Sequence, residues 1–400
     1  MSSSPSSLPS ALVLLFAIAC GLSVANVYYA QPLLDALGAE FAIDQAGVGL
    51  LFGATQAGCA LALLLVVPLG DLLERRRLMF VQLLLLVLSL LLVGFAGDAL
   101  GLALGLLGLG LLGTAMTQGL LAYAAALAAP GERGRVVGAA QSGVVIGLLL
   151  ARTLAGLLAD LGGWRSVYLV SATAMAALGL LLWRVLPAAP ANALGLSYRQ
   201  LLGSMFVLLA SQRTLQVRGL LGLLMFAAFG VFWSSLALLL SAPPHALSHS
   251  AIGAFGRGGA LGALGAARAG SLADRGHAQP LSGAALLLLL LSWLPLGLGA
   301  DSLLALVLGV LLLDLAGQAI HVLNQSLVFA IDPRAHSRLV GCYMLFYATG
   351  SGLGASAGTA MYAWAGWHAV SLLGAAISLV ALLFWWLTRG EAPATCADAA

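Results

Sequence analysis

Residues 70–77 read GDLLERRR, and residues 270–277 read GSLADRGH. Each begins with Gly, runs three residues to a carboxylate (Glu74, Asp274) and follows it with Arg (Arg75, Arg275). The two stand 200 positions apart in a chain of 400, so the same loop recurs at the same place in each half. A match at a fixed long offset marks an internal repeat. Each loop also sits between two long apolar stretches, 46–69 and 78–97 in the first half, 250–269 and 279–299 in the second. Charge confined to short breaks between such stretches is the pattern of a chain threaded repeatedly through a bilayer.

Composition points the same way. Hydrophobic residues make up 62% of the chain and charged residues 8%. Soluble domains are about half apolar and about a quarter charged, so a water-soluble fold of this length would lack the polar surface to cover itself. A cytosolic enzyme, a secreted domain and a disordered scaffold are thereby excluded. The apolar runs are too long for barrel strands, which leaves an all-α polytopic membrane protein. A net charge of +3 is too small to suggest a nucleic-acid partner. Cys20, Cys59 and Cys342 lie in apolar segments without CxxC spacing and read as small core residues. The Ser- and Pro-rich start carries no basic residue, so the first apolar run reads as an uncleaved span rather than a signal peptide.

Hydropathy predicts twelve spans: 10–32, 46–69, 78–97, 99–128, 136–159, 166–186, 215–241, 250–269, 279–299, 302–330, 339–362 and 365–388. With the amino terminus inside, fourteen of the Arg residues, Arg218 among them, fall on the cytoplasmic side, in inner loops or at the inner ends of spans, and Arg165 alone in an outer loop. The positive-inside rule therefore places both termini in the cytoplasm. Residues 1–186 form one expected six-helix bundle and 215–388 the other. Between them, 187–214 reads as a linker with an amphipathic helix, and 389–400 as a cytoplasmic tail.

Together these features resemble the major facilitator superfamily over essentially the whole chain. The two loops are similar to its motif A, G-x-x-x-D-R-x-G-R-R; the first copy has Glu74 where the motif has Asp and lacks the internal Gly. NVYYAQPLL at 26–34 and LNQSLVFAIDPRAHSRLVGCYM at 323–344 resemble a bacterial group of drug or sugar efflux permeases. Span five has Gly143, Gly147 and Gly156 but no Pro, so the Gly-Pro of the family's antiporter motif is not present. The resemblance implies a twelve-helix fold whose halves rock about a solute held near the midplane.

Polar groups inside the membrane are costly and mark function by default. Asp314, Gln318, His321 and Gln325 sit at i, i+4, i+7 and i+11 of span ten, on one face of a helix. A carboxylate near mid-membrane can bind and release a proton, and His321 can pass one or contact substrate. Arg152 in span five and Arg257 in span eight are the two basic residues read inside the bilayer, and either can neutralise Asp314. If Arg152 does so, the pair links protonation to movement of the halves; Arg152 binding an anionic substrate is the other reading. Asp314, Arg152 and His321 are therefore the proton-coupling candidates.

Substrate-binding candidates are Asn26, Tyr29, Gln56, Gln118, Gln141, Trp233, Gln318, Asn324, Tyr343 and Tyr347. Their amides offer hydrogen bonds and their rings a flat apolar wall. Trp164, Trp367, Trp385 and Trp386 lie near span ends and read as interfacial anchors. Gly70, Asp71, Glu74, Arg75, Gly270, Asp274 and Arg275 form the repeated loops, where carboxylate–Arg pairs can latch the inner side. No phosphate loop, metal-ligand cluster or nucleophile–base pair stands in the sequence, so neither enzyme chemistry nor a cofactor is expected. The expected protein is a monomeric secondary transporter of the bacterial inner membrane, exporting small organic molecules by coupling to protons. Uptake by proton symport or facilitated diffusion, and a non-transporting receptor, are the alternatives.

Overall fold

A computed structural model describes residues 8–128, 132–187, 197–259, 268, 277–332 and 336–390. Gly270, Asp274 and Arg275 lie outside the described residues, as do the side chains of Asp71 and Arg257. Regular structure among the described residues is entirely helical. In chain order the helices are α1 (Ser10–Tyr28), α2 (Leu34–Glu40), α3 (Val48–Leu61), α4 (Arg75–Gly94), α5 (Ala99–Leu127), α6 (Arg133–Gly162) and α7 (Trp164–Val185). There follow α8 (Tyr198–Ser211), α9 (Arg213–Ser241), α10 (His249–Ala254), α11 (Ala278–Gly297), α12 (Leu303–Phe329) and α13 (His336–Thr388). Among the described residues, ten stretches are long and apolar enough to cross a membrane. The last of them, Arg338–Thr388, runs together the expected spans 339–362 and 365–388 across a break at Ala365 and Gly366.

Local sequence explains where helices start and stop. Asp98 caps α5 by accepting the Gly101 N–H at 2.7 Å, and Ser302 caps α12 by accepting that of Ala305 at 3.3 Å. After α3 the helix widens over Ala62–Val66 and tightens over Val67–Asp71, where Pro68 has no N–H to continue the ladder. Gly163 (φ 76°) turns α6 into α7, and Gly366 (φ 69°) makes the corresponding turn inside α13. Only glycine takes this conformation without strain. A Trp follows each: Trp164 donates to the Glu40 carboxylate at 2.5 Å and Trp367 to the Leu296 carbonyl at 2.7 Å. Both rings are buried, so neither is the lipid-facing anchor expected from its place at a span end. Trp385 is buried as well and bonds Gln279, whereas Trp386 stays exposed beneath Arg389. An amphipathic ring at a helix end fits a protein pocket as well as a headgroup layer, and here three of the four found the pocket.

The helices gather into two compact units, Met1–Leu202 with Leu236–Arg257, and Gly203–Ser235 with Gly258–Ala400. In the first, α1 packs on α5 and α6, α3 on α5, α4 on α5 and α7, and α10 on α6. In the second, α11 packs on α12 and α13. Lipid tails give no hydrophobic drive between helices, so close backbone approach across small residues holds such bundles together. A Cβ on Gly143 would meet the Ala17 Cα at 2.7 Å, and one on Gly147 the Gly21 Cα at 2.6 Å. In the second unit Gly350, Gly354 and Gly358 ride on Leu223, Ala227 and Val231 in the same four-residue register. Apolar side chains point outward: Leu304 is 81% exposed and Leu387 80%. Such a surface suits lipid, not water.

Candidate functional site

The expected stripe of span ten forms on α12. Asp314 is buried, while Gln318, His321 and Gln325 are partly exposed. Beside it, His321 Nδ1 lies 3.2 Å from the Tyr343 hydroxyl. Phe226 stands edge-on to Tyr347 with ring centroids 4.0 Å apart, and edge-on to His321 at 5.2 Å. Three sequence candidates, His321, Tyr343 and Tyr347, thus share one aromatic cluster with Phe226. Trp233 is buried against Phe232, with centroids 5.1 Å apart, and acts in packing there.

Next to the cluster sits a residue that the sequence reading assigned to the inner face. Arg218, one turn and a half into α9, is only 4% exposed. It donates to Ser282 Oγ at 3.1 Å and reaches Asn324 Oδ1 at 3.5 Å. Asn324 is 1% exposed, and its amide nitrogen finds no acceptor. The expected span 215–241 already holds Arg218 near its cytoplasmic end, where it counts with the inner-face charges rather than as a buried group.

The first unit holds the other candidates. Arg152 Nε donates to Gln31 Oε1 at 2.9 Å, and its guanidinium lies 5.5 Å from the centre of the Tyr28 ring. Asn26 is buried; its Oδ1 accepts from Ser171 Oγ at 2.6 Å and its Nδ2 donates to the Leu22 carbonyl. Tyr29 is buried beside Ser171. Gln56 is buried with neither side-chain polar atom bonded. Gln118 is partly exposed and Gln141 exposed. The stripe members thus gather in the second unit, while Asn26, Tyr29, Gln56, Gln118, Gln141 and Arg152 belong to the first.

In the first repeated loop, Glu74 pairs with Arg77 at 2.7 Å. Arg75 donates to the carbonyls of Gly70 and Ala122, fastening the loop to the end of α5. Sequence reasoning passed over a second polar cluster, at the joint of α6 and α10. The N–H groups of His249 and Ser250 donate to the Asp160 carboxylate at 3.1 and 2.9 Å, which meets the amino end of α10 as a helix terminus favours. The His249 ring lies between carboxylates, 3.4 Å from Asp35 and 3.3 Å from Asp160. The adjoining Asp35 carboxylate, more than any other influence, raises the His249 pKa above its ordinary value. Thr153 Oγ1 donates to the Gly253 carbonyl at 3.1 Å. Nothing local betrays this joint: His249 is 89 residues from Asp160 and 214 from Asp35.

Long apolar helices with inward polar groups and lipid-suited outer faces define a multi-pass membrane transporter. The chain belongs to the Major Facilitator Superfamily, whose family model matches residues 13–331. It is 45% identical over 383 residues to the uncharacterized transporter YgaY of Escherichia coli O157:H7, covering 94% of this chain and 95% of that one. The fold is similar to a bacterial homolog of the human lysosomal transporter Spinster in an inward-facing, occupied conformation, with TM-score 0.80, 17% identity and 97% and 98% of the chains covered. It is also similar to the nucleoside transporter NupG, with TM-score 0.73, 15% identity and 94% and 98% coverage.

Proposed function

We propose that this protein is a proton-coupled secondary transporter that exports small organic molecules across the bacterial inner membrane by alternating access. It moves a solute and makes no covalent bond. The observation that carries this reading is the polar face of α12, where buried Asp314 shares one stripe with Gln318, His321 and Gln325. A carboxylate buried in an apolar helix carries a solvation cost and marks a functional site by default. Asp314 takes up and releases the coupling proton, with His321 as a relay and Arg152 as the basic member of the proton-coupling set. Twelve spans with cytoplasmic termini are supported by the break at Ala365 and Gly366 and by the inner-loop Arg residues.

The α6–α10 joint is the outer latch in this scheme, and the repeated loops around Arg75 and Arg275 are the inner one. The decisive test uses vesicles carrying Asp314→Asn. Proton-driven transport is lost and downhill solute exchange survives. An unaltered dependence of transport on the proton gradient refutes the coupling role. Direction is read from a deletion strain: accumulation of a toxic compound that a protonophore reproduces in the parent supports export, and loss of nutrient uptake overturns it.

A further inference from the structure

We propose that Arg218 is the anion-binding group of a substrate subsite, so that the transported solutes are organic anions with a flat apolar body. This deepens the transporter reading and rests on it. Guanidinium stays charged at any attainable pH, and a buried charge is stable only when paired or fully hydrogen-bonded. Arg218 has neither form of support. Its two acceptors, Ser282 Oγ and Asn324 Oδ1, are neutral, the second lies at the limit of bonding distance, and no carboxylate is within ion-pair reach among the described residues. The planar fork offers five N–H donors, most of them unused here.

A second orphan donor points to the same place: the Asn324 amide nitrogen, buried and without an acceptor. The spare N–H groups of Arg218 and the unbonded Asn324 amide lack what a carboxylate supplies, namely two oxygens and a negative charge, in the geometry that Arg binds bidentately. Tyr343 stands beside both groups and joins them to the rings of His321, Phe226 and Tyr347. Those three rings are partly exposed, whereas Tyr343 is buried. An anionic head on Arg218 therefore leaves the body of the solute against an aromatic wall.

Matched probes test this by binding alone, independent of transport. Purified transporter is heated with benzoate or 2-naphthoate and with their neutral amides, benzamide and 2-naphthamide. The carboxylates raise the unfolding midpoint and the amides do not. In Arg218→Met, carboxylate affinity falls at least about 30-fold, as expected for removal of a buried charged partner. Without ligand, Arg218→Met is as stable as the parent or more so, because an uncompensated charge has been replaced by a side chain of similar volume. A structural tie predicts the opposite, and a variant that fails to fold counts against the proposal. Tyr347→Leu, which keeps Arg218, weakens both carboxylates yet preserves their advantage over the amides. Equal shifts for acid and amide, or none, overturn the assignment while leaving the vesicle test of proton coupling untouched.

Discussion

Gly156 is the residue on which the α6–α10 joint turns. A Cβ there would lie 2.6 Å from the His249 carbonyl carbon and 2.9 Å from the Ser250 nitrogen, both backbone atoms that cannot rotate away. Ordinary contact begins near 3.4 Å, so Gly156→Ala forces the two helices apart by at least 0.8 Å locally. Overpacking on this scale costs about 1–3 kcal/mol. If the joint is made only when the outer side is shut, the whole cost falls on that state, and the open population rises about 5–150-fold. The readout is labelling of Ala30→Cys by a membrane-impermeant maleimide on intact cells, in a background where Cys20, Cys59, Cys342 and Cys396 are Ser. Ala30 is 2% exposed and neighbours the Gln31–Arg152 bond of the same unit. Gly138→Ala is the control, because a Cβ on Gly138 meets nothing within 4 Å. It gains the same helix propensity with no clash. Labelling rises in Gly156→Ala and stays at the parental rate in Gly138→Ala. Equal rates in the two variants refute the latch.

Two further outcomes follow. The protonated His249 ring is held by Asp35 and Asp160, so its support of the joint is complete below the ordinary histidine value of 6.5 and is lost as pH rises through the elevated one. Ala30→Cys labelling, normalised to an exposed Ala39→Cys, therefore rises between about pH 5 and pH 9, and His249→Gln makes the profile flat. Trp293 fills the space above Gly374 and donates to Ser378 at 3.0 Å. Trp293→Ala costs about 3–5 kcal/mol, visible as a lower unfolding midpoint in detergent, whereas Trp386→Ala on the exposed face leaves the midpoint near that of the parent.

Much of this was legible before any coordinates. The polar stripe of α12 followed from spacing alone, because four polar residues at helical period on an apolar span have one arrangement open to them. Span positions followed from hydropathy for the same reason: the bilayer imposes a length and a solvent at once. What escaped was set by tertiary contact. Arg218 was counted with the inner-face charges because it lies near the cytoplasmic end of span 215–241, and sequence does not tell a snorkelling guanidinium from a buried one. His249 drew no notice in the sequence because its carboxylates come from α2 and α6. Trp164 and Trp367 were assigned to the lipid interface because a ring at a span end reads alike whether lipid or a neighbouring helix covers it. The repeated loops revealed the duplication, yet not that Arg75 would reach the Ala122 carbonyl at the end of α5 or that Glu74 would pair with Arg77.

The Gly-Trp turns and glycine stripes recur at offsets that differ from that of the loops. Gly163-Trp164 and Gly366-Trp367 are 203 apart, Ala17 and Leu223 are 206, and Gly143 and Gly350 are 207, against 200 for Gly70 and Gly270. Connecting segments have therefore gained and lost residues while the packed positions kept their phase. A helix displaced by one residue turns its small face by about 100°, so an insertion within a span is forbidden where one between spans passes unnoticed. The two halves thus serve as replicate experiments on one design. A phenotype at Gly147 forecasts the phenotype at Gly354, and a mismatch between them marks where the copies have taken up different work.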